Sequence, residues 1–246
     1  MDEIVINDST AVRSIGIGRS NPLNPLDIEL LERIASEVKN SGKRAVVIYG
    51  IGKAFSAGAN IQGFLDLTPA KAYDFSRRGH DCMNAIAYHE FPVIAAIHGY
   101  ALGGGLELAL ACDMRVCHPD TKMGLPEISL GILPGFGGTQ RLRNLVGEAK
   151  ALELIWRAER IGAEEALRLG IVNAVSEKPL EYAQSLAAEL MAKPWNSLTM
   201  IKRLLRHDPD EHYEREIEDF AACFSSPNLK EGVKAFIEKR VPHFNK

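Results

Sequence analysis

The chain has 246 residues, 46% of them hydrophobic, enough to bury a substantial core without disulfides or metals. Its 29 Lys and Arg against 32 Asp and Glu leave a formal charge of −3, so neither a nucleic-acid footprint nor an acidic tail stands out. Cys82, Cys112, Cys117 and Cys223 form no Cys-x-x-Cys pair for zinc or redox chemistry, and no apolar run approaches the ~20 residues that span a bilayer. The first residues, acidic and then Ile4-Val5-Ile6, do not read as a signal or transit peptide. A cytoplasmic protein that binds no nucleic acid, no membrane and no metal is expected.

Ile4 to Ile6 and Val12 to Ile17, separated by the polar Asn7 to Thr10, read as a strand pair. A helix is expected from Pro25, capped by Asn24, with Ile28, Leu31, Ile34 and Val38 at helical spacing until Ser41-Gly42. Ala45 to Tyr49 is a short β-branched run that suits a buried strand, as do Val93 to Ile97 and, less distinctly, Met114 to Cys117. A helix opening at Thr68-Pro69 lies between the first two, so the order alternates and predicts an α/β fold with a largely parallel sheet. After Gly137 the spacing of Leu142, Leu145, Ala149, Leu152 and Ile155 predicts helix, broken at Gly147. From Pro179 onward everything reads as helix, in segments 180–191, 197–206, 211–224 and 229–239 separated by Pro194, Pro209 and Pro227. These last segments carry few apolar residues per turn, so they are expected to pack on the core or on a neighbouring subunit. No internal repeat is visible.

Three glycine-marked segments carry the chemistry. In Gly103-Gly104-Gly105-Leu106-Glu107, the glutamate is an anomaly at the start of an otherwise apolar helix, and a buried carboxylate is costly unless paired or used. Either it caps the N–H groups of its own helix, or it transfers protons beside a ligand oxygen docked on the glycine backbone. In Gly124-Leu125-Pro126-Glu127, within a loop rich in glycine and proline, the carboxylate alone would be a solvated charge; joined to Glu107 it completes an acid/base pair. Gly135 to Gly138, before a helix, offers a second nest of backbone donors. The third segment, Gly52 to Ile61, follows a strand, where α/β sheets bind ligands. It has neither the phosphate-loop pattern nor the third dinucleotide glycine, and Ser56 in Ala-Phe-Ser-Ala-Gly only approximates a nucleophile elbow. The seven histidines are dispersed without ligand spacing, and the Lys202, Arg203, Arg206 and His207 stripe reads as a solvated face or an interface.

Phe-Ser-Ala-Gly-Ala-Asn-Ile, then Ile-His-Gly-Tyr-Ala-Leu-Gly-Gly-Gly-Leu-Glu-Leu-Ala, then Leu-Pro-Glu-Ile-Ser-Leu-Gly-Ile-Leu-Pro-Gly-Phe-Gly-Gly-Thr-Gln-Arg-Leu, together with the ending around Glu231-Gly232 and Phe236 to Arg240, resemble the enoyl-CoA hydratase/isomerase, or crotonase, family over nearly the whole chain. The resemblance implies a crotonase-like spiral of ββα units over residues 1–195 and a helical region, 196–246, used in trimerisation, as a homotrimer or hexamer. It implies an acyl-CoA thioester whose oxygen lies between the N–H groups of Ala59 and Gly104, with Glu107 and Glu127 as the catalytic pair and no cofactor, coenzyme A being part of the substrate. Substrate contacts implied in the same way are Lys53, Ala57, Asn60, Ile61, Gly103, Leu125, Gly135, Phe236 and Lys239. Phe236 and Lys239 would reach the nucleotide of an adjacent subunit. Asn60 stands where the family usually has Asp, Leu125 where many hydratases have Gln, and Asn24-Pro25 departs from the usual Ala after Leu-Asn. Leu125 is expected to make the acyl pocket more apolar. The expected reaction is reversible hydration of a trans-2-enoyl-CoA. The alternatives are double-bond isomerisation on the same oxyanion hole and a non-catalytic, RNA-associated scaffold, which the charge and the intact pair disfavour.

Overall fold

β-Branched runs ended by glycine or polar residues lay out the larger of two sheets. The computed structural model describes residues 3–205, 217–218 and 220–243. β1 (Glu3–Asp8) and β2 (Val12–Gly18) form the expected antiparallel pair; β2 is followed across the sheet by β3 (Ala45–Gly50), β4 (Val93–Ile97), β6 (Met114–Cys117) and β9 (Ala174–Val175), all parallel. Both faces of this sheet are covered. Val46 and Ile48 point into a core shared with α1 (Ile28–Lys39) and α2 (Pro69–Ala87), through Leu31, Ile34, Met83 and Ile86, while Val47, Ile94, Ala96 and Val116 meet Ala183 and Ala187 of α7 (Pro179–Met191). Burial on both sides is why these strands read as continuous apolar runs and not as alternating ones.

The smaller sheet, β5 (Tyr100–Leu102), β7 (Lys122–Gly124) and β8 (Ile161–Gly162), is built from strands too short to give a pattern. β4, β5 and α3 (Gly104–Ala111) make one ββα unit. The next is β6 and β7, followed by the 3-10 turn Glu127–Leu130, α4 (Gly138–Val146) and α5 (Glu148–Trp156). In the unit before them, β3 leads to Ser56, which bridges Ala101 in place of a second strand, then to the 3-10 turn Ile61–Asp66 and α2. Each unit gives one strand to the large sheet and one rung to the small one. The result is the expected spiral, repeated in structure without a repeat in sequence.

α1 begins three residues later than expected. Asn24 has φ +50° and is fully buried, and Leu26 bridges Ala59 as extended chain, so the cap is Asp27, whose carboxylate accepts from Leu30 N. Thr68 caps α2 with Pro69 in the first turn, as expected. Residues 157–178, which give no pattern of their own, supply β8, α6 (Ala163–Arg168) and β9. α8 (Trp195–Leu205) and α9 (Pro227–Ile237) match expected helices; of the segment 211–224, residues 217–218 and 220–223 are helical, and Arg206, His207, Pro209 and residues 210–216 lie outside the described residues. Phe220, Phe224, Leu229 and Val233 from this end pack with Phe64 and Ile132, so the C-terminal region is fastened to both 3-10 turns.

Candidate active site

One row of residues across the small sheet assembles the three glycine-marked segments. Ser56 bridges Ala101, Ala101 pairs with Met123, and Met123 pairs with Ile161. Immediately beyond that row, at the carboxyl ends of the parallel rungs, lie residues 57–59, 102–104 and 124–127, with Arg160 beside them because β8 runs the other way. A hydrogen bond from Gly103 N to Gly124 O, 2.9 Å, joins the second segment to the third. This is where parallel strands leave room for a ligand.

The first segment is held rigidly. Leu26 N donates to Gly58 O and Asn60 N to Leu26 O, at 2.8 and 2.7 Å, which turns the N–H of Ala59 to the other side of the chain. The buried Asn24 amide donates to Ile51 O and Ala54 O, and Ser56 Oγ donates to Asn24 O while accepting from Gly58 N. Ser56 is fully buried and committed to this network; it is structural and not a nucleophile. In the second segment Gly103 takes φ +51°, ψ −128°, a conformation closed to other residues, and α3 starts directly after it. A methyl group built on Gly104 would lie 3.6 Å from Ala59 N, so the two backbones adjoin. Among the described residues neither Ala59 N–H nor Gly104 N–H donates to a protein acceptor. They are two neighbouring donors, that of Gly104 at the positive end of a helix.

Glu107 is 1% exposed and reaches out of its own helix. Its Oε1 accepts from Phe136 N and Gly138 N, both at 2.8 Å, and so holds the glycine loop that starts α4. The nest expected at Gly135 to Gly138 is therefore occupied by the protein's own carboxylate. That loop is pinned from outside as well: Ser76 Oγ donates to Gly135 O at 2.6 Å, and Arg141 donates to Phe136 O and to Asn84 Oδ1 at 2.7 and 2.8 Å. Glu127 is also buried, and a methyl group on Gly103 would stand 3.0 Å from its Oε1. Both carboxylates border one cavity of about 250 Å³.

Of the residues expected from sequence, Ala57, Ala59, Ile61, Gly103, Gly104, Glu107, Glu127, Gly135 and Phe236 line this cavity. Leu125 does not: it is 2% exposed and its side chain joins the main core, leaving Pro126 and Glu127 at the wall. Asn60 is drawn away because its side chain caps the 3-10 turn Ile61–Asp66, accepting from Gln62 N. Lys53 and Lys239 are exposed and lie outside the cavity. Phe236 is 61% exposed at the rim of the cavity of its own chain. Residues not anticipated are Arg160 at the rim and the rings of Phe64, Phe75, Phe136 and Phe220 inside. No spacing in the sequence announces these rings, which come from three separate elements and the loop before α4. A larger hollow of about 580 Å³ between α4, α7 and α8 has one carboxylate, Asp113, already bound by Lys202 Nζ and Val93 N at 2.7 Å each.

Residues 7–246 match the family model for enoyl-CoA hydratase/isomerase. The chain belongs to the enoyl-CoA hydratase/isomerase family. It is similar to a probable enoyl-CoA hydratase of Bacillus subtilis (strain 168), 43% identical over 91% of each chain. A short-chain-enoyl-CoA hydratase of Clostridium acetobutylicum is 36% identical, over 98% of this chain and 96% of that protein. Among solved structures, an enoyl-CoA hydratase from Mycobacterium avium subsp. paratuberculosis K-10 superposes with a TM-score of 0.87 at 27% identity, covering 99% of this chain and 98% of that one. The family's crotonase fold is thus the fold of this chain. Among the described residues no helix is long and apolar enough to cross a membrane.

Proposed function

We propose that this protein is an enoyl-CoA hydratase, adding water reversibly and syn across the double bond of a trans-2-enoyl-CoA to give the 3-hydroxyacyl-CoA. The observation that carries the reading is the presence of two buried carboxylates, Glu107 and Glu127, on the wall of a cavity that Ala59 and Gly104 also line. The thioester oxygen accepts from both N–H groups, which stabilise the enolate formed during addition by about 2.7–4 kcal/mol per donor. One water lies between the glutamates. As its oxygen bonds to C3, its proton passes to Glu107, the C2–C3 π pair moves into the enolate, and Glu127 delivers a proton to C2. Exchange with solvent restores both groups. Oε1 of Glu107 also holds the loop before α4. The exposed Lys53 and Lys239 are assigned to the phosphates of coenzyme A outside the cavity. Exposed Leu145, Leu152 and Trp156 on α4 and α5, with Met200 and Ile201 on α8, support a homo-oligomer, a trimer or hexamer.

The test is loss of the conjugated-thioester absorbance of crotonyl-CoA on adding the purified protein, run beside a 3-enoyl-CoA, from which an isomerase would create that absorbance. Crotonyl-CoA left unchanged at micromolar protein would overturn the reading, and a gain of absorbance with the 3-enoyl-CoA alone would replace it by isomerisation.

A further inference from the structure

The side chains that line the cavity differ in how deeply they are buried. Phe236 is 61% exposed and Arg160 is exposed, whereas Phe64, Phe136 and Phe220 are exposed by 4%, 2% and 2%. The buried rings form an aromatic wall. Phe220 closes it from the C-terminal region: its ring stacks on Phe75 with centroids 6.0 Å apart and planes 19° apart, and meets Phe224 at 5.3 Å and Phe64 edge-on at 6.5 Å. The ring also lies against Gly135, where a methyl group would come within 2.6 Å of it. Phe75 is in turn packed on Phe64 and Phe136, at 5.4 and 5.2 Å. Each ring in this wall is thus in contact with at least one other.

Resting on the hydratase reading, we infer that the substrate is a short-chain enoyl-CoA, with an acyl group of about four to five carbons, and that Phe220 sets this limit. The cavity of about 250 Å³ has room for about eight heavy atoms at ~30 Å³ each, the volume a water molecule takes in the liquid. The thioester carbon, oxygen and sulfur and the attacking water occupy half of that. What remains holds C2, C3 and one or two further carbons. In an open apolar tunnel each added methylene would tighten binding about fourfold; here the gain stops at the aromatic wall, and longer chains must push Phe220 off Gly135.

The experiment measures kcat/KM for trans-2-enoyl-CoAs from four to twelve carbons with the wild-type protein, Phe220→Ala and Phe220→Leu. Isothermal titration with saturated butyryl-CoA and decanoyl-CoA runs in parallel. The expected wild-type profile peaks at four carbons and falls at least tenfold by ten carbons. Phe220→Ala raises the ten-to-four-carbon ratio of kcat/KM by tenfold or more, and Phe220→Leu raises it by a smaller factor, the leucine variant deciding the matter if the alanine variant does not fold. A flat wild-type profile, or a folded Phe220 variant with an unchanged ratio, overturns the limit and leaves hydration standing. Absence of hydration with every substrate, with butyryl-CoA still binding more tightly than decanoyl-CoA, overturns the reaction and upholds the limit.

Discussion

Replacing Glu107 separates its hold on the loop before α4 from the proton transfer proposed for it. In Glu107→Ala the N–H groups of Phe136 and Gly138 lose their acceptor inside the protein, since both residues are buried. Each orphaned buried donor costs about 1–3 kcal/mol, so the loop before α4 should weaken by about 4 kcal/mol in all. For a chain of this size each kcal/mol is worth about 2–4 °C, which sets the expected fall in Tm at ~8–16 °C. Glu107→Gln behaves differently. Its amide oxygen can still accept from both donors, so only the charge-assisted increment is lost, about 1 kcal/mol per bond, and this is offset because a charge no longer has to be buried. Its Tm should lie within ~5 °C of wild type. Hydration should nonetheless fall about 10²–10⁴-fold in both variants, because neither supplies a base. Calorimetry and a crotonyl-CoA assay on the same preparations read the two duties independently. A glutamine variant within tenfold of wild-type kcat would refute the proton-transfer role, and an alanine variant that melts with the wild type would refute the loop-holding role.

Gly103→Ala should destabilise the protein by about 1–3 kcal/mol, because φ +51°, ψ −128° is strained for alanine, and should lower kcat by displacing Glu127, whose Oε1 lies 3.0 Å from the added methyl; full activity at an unchanged Tm would show that the turn can rebuild. Acid stability should depend on His89. Burial, and secondarily the nearby Lys202 charge, push its pKa from 6.5 down to about 4. Between these values the unfolded chain binds a proton that the native chain does not. Stability is therefore complete above pH 6.5 and is lost as pH falls toward 4, by roughly 1–3 kcal/mol from this group. Tm followed from pH 8 to 4 should fall less steeply in His89→Gln than in wild type, and identical slopes would remove His89 from the acid transition.

The large sheet could be read from the sequence because its strands are buried on both faces: Ala45 to Tyr49 and Val93 to Ile97 have no polar position to disguise them. The small sheet was invisible, since strands of two or three residues such as Lys122–Gly124 and Ile161–Gly162 carry no period and exist only through their partners. The glycines announced the site: a methyl on Gly105 would stand 2.4 Å from Ser56 O, and Gly103 takes a positive φ. What occupies the approach was not legible. The second nest looked like a ligand site and holds Glu107, because sequence shows that donors are present but not which acceptor reaches them. Leu125 looked like a pocket residue by its place before Pro126-Glu127, yet the chain turns its side chain into the core at that point. Asn24 looked like a helix cap and is instead the fully buried tie between Ile51 and Ala54 that steadies the loop of Ala59. Phe220 gave no signal, since an aromatic residue on a C-terminal helix reads as ordinary packing until Gly135 is found beneath it.

The Glu107 carboxylate is bound by amides 29 and 31 residues further along the chain, and Ala59 is placed by Leu26 from one side and, through Ser56, by Ala101 from the other. None of these closures can form within a single hairpin or helix, and each carries the entropy cost of a long loop. A chain that has regained its helices and its central strands still lacks a working site until the small sheet has zipped across all its rungs. Recovered catalysis should therefore report the completion of folding and not its onset.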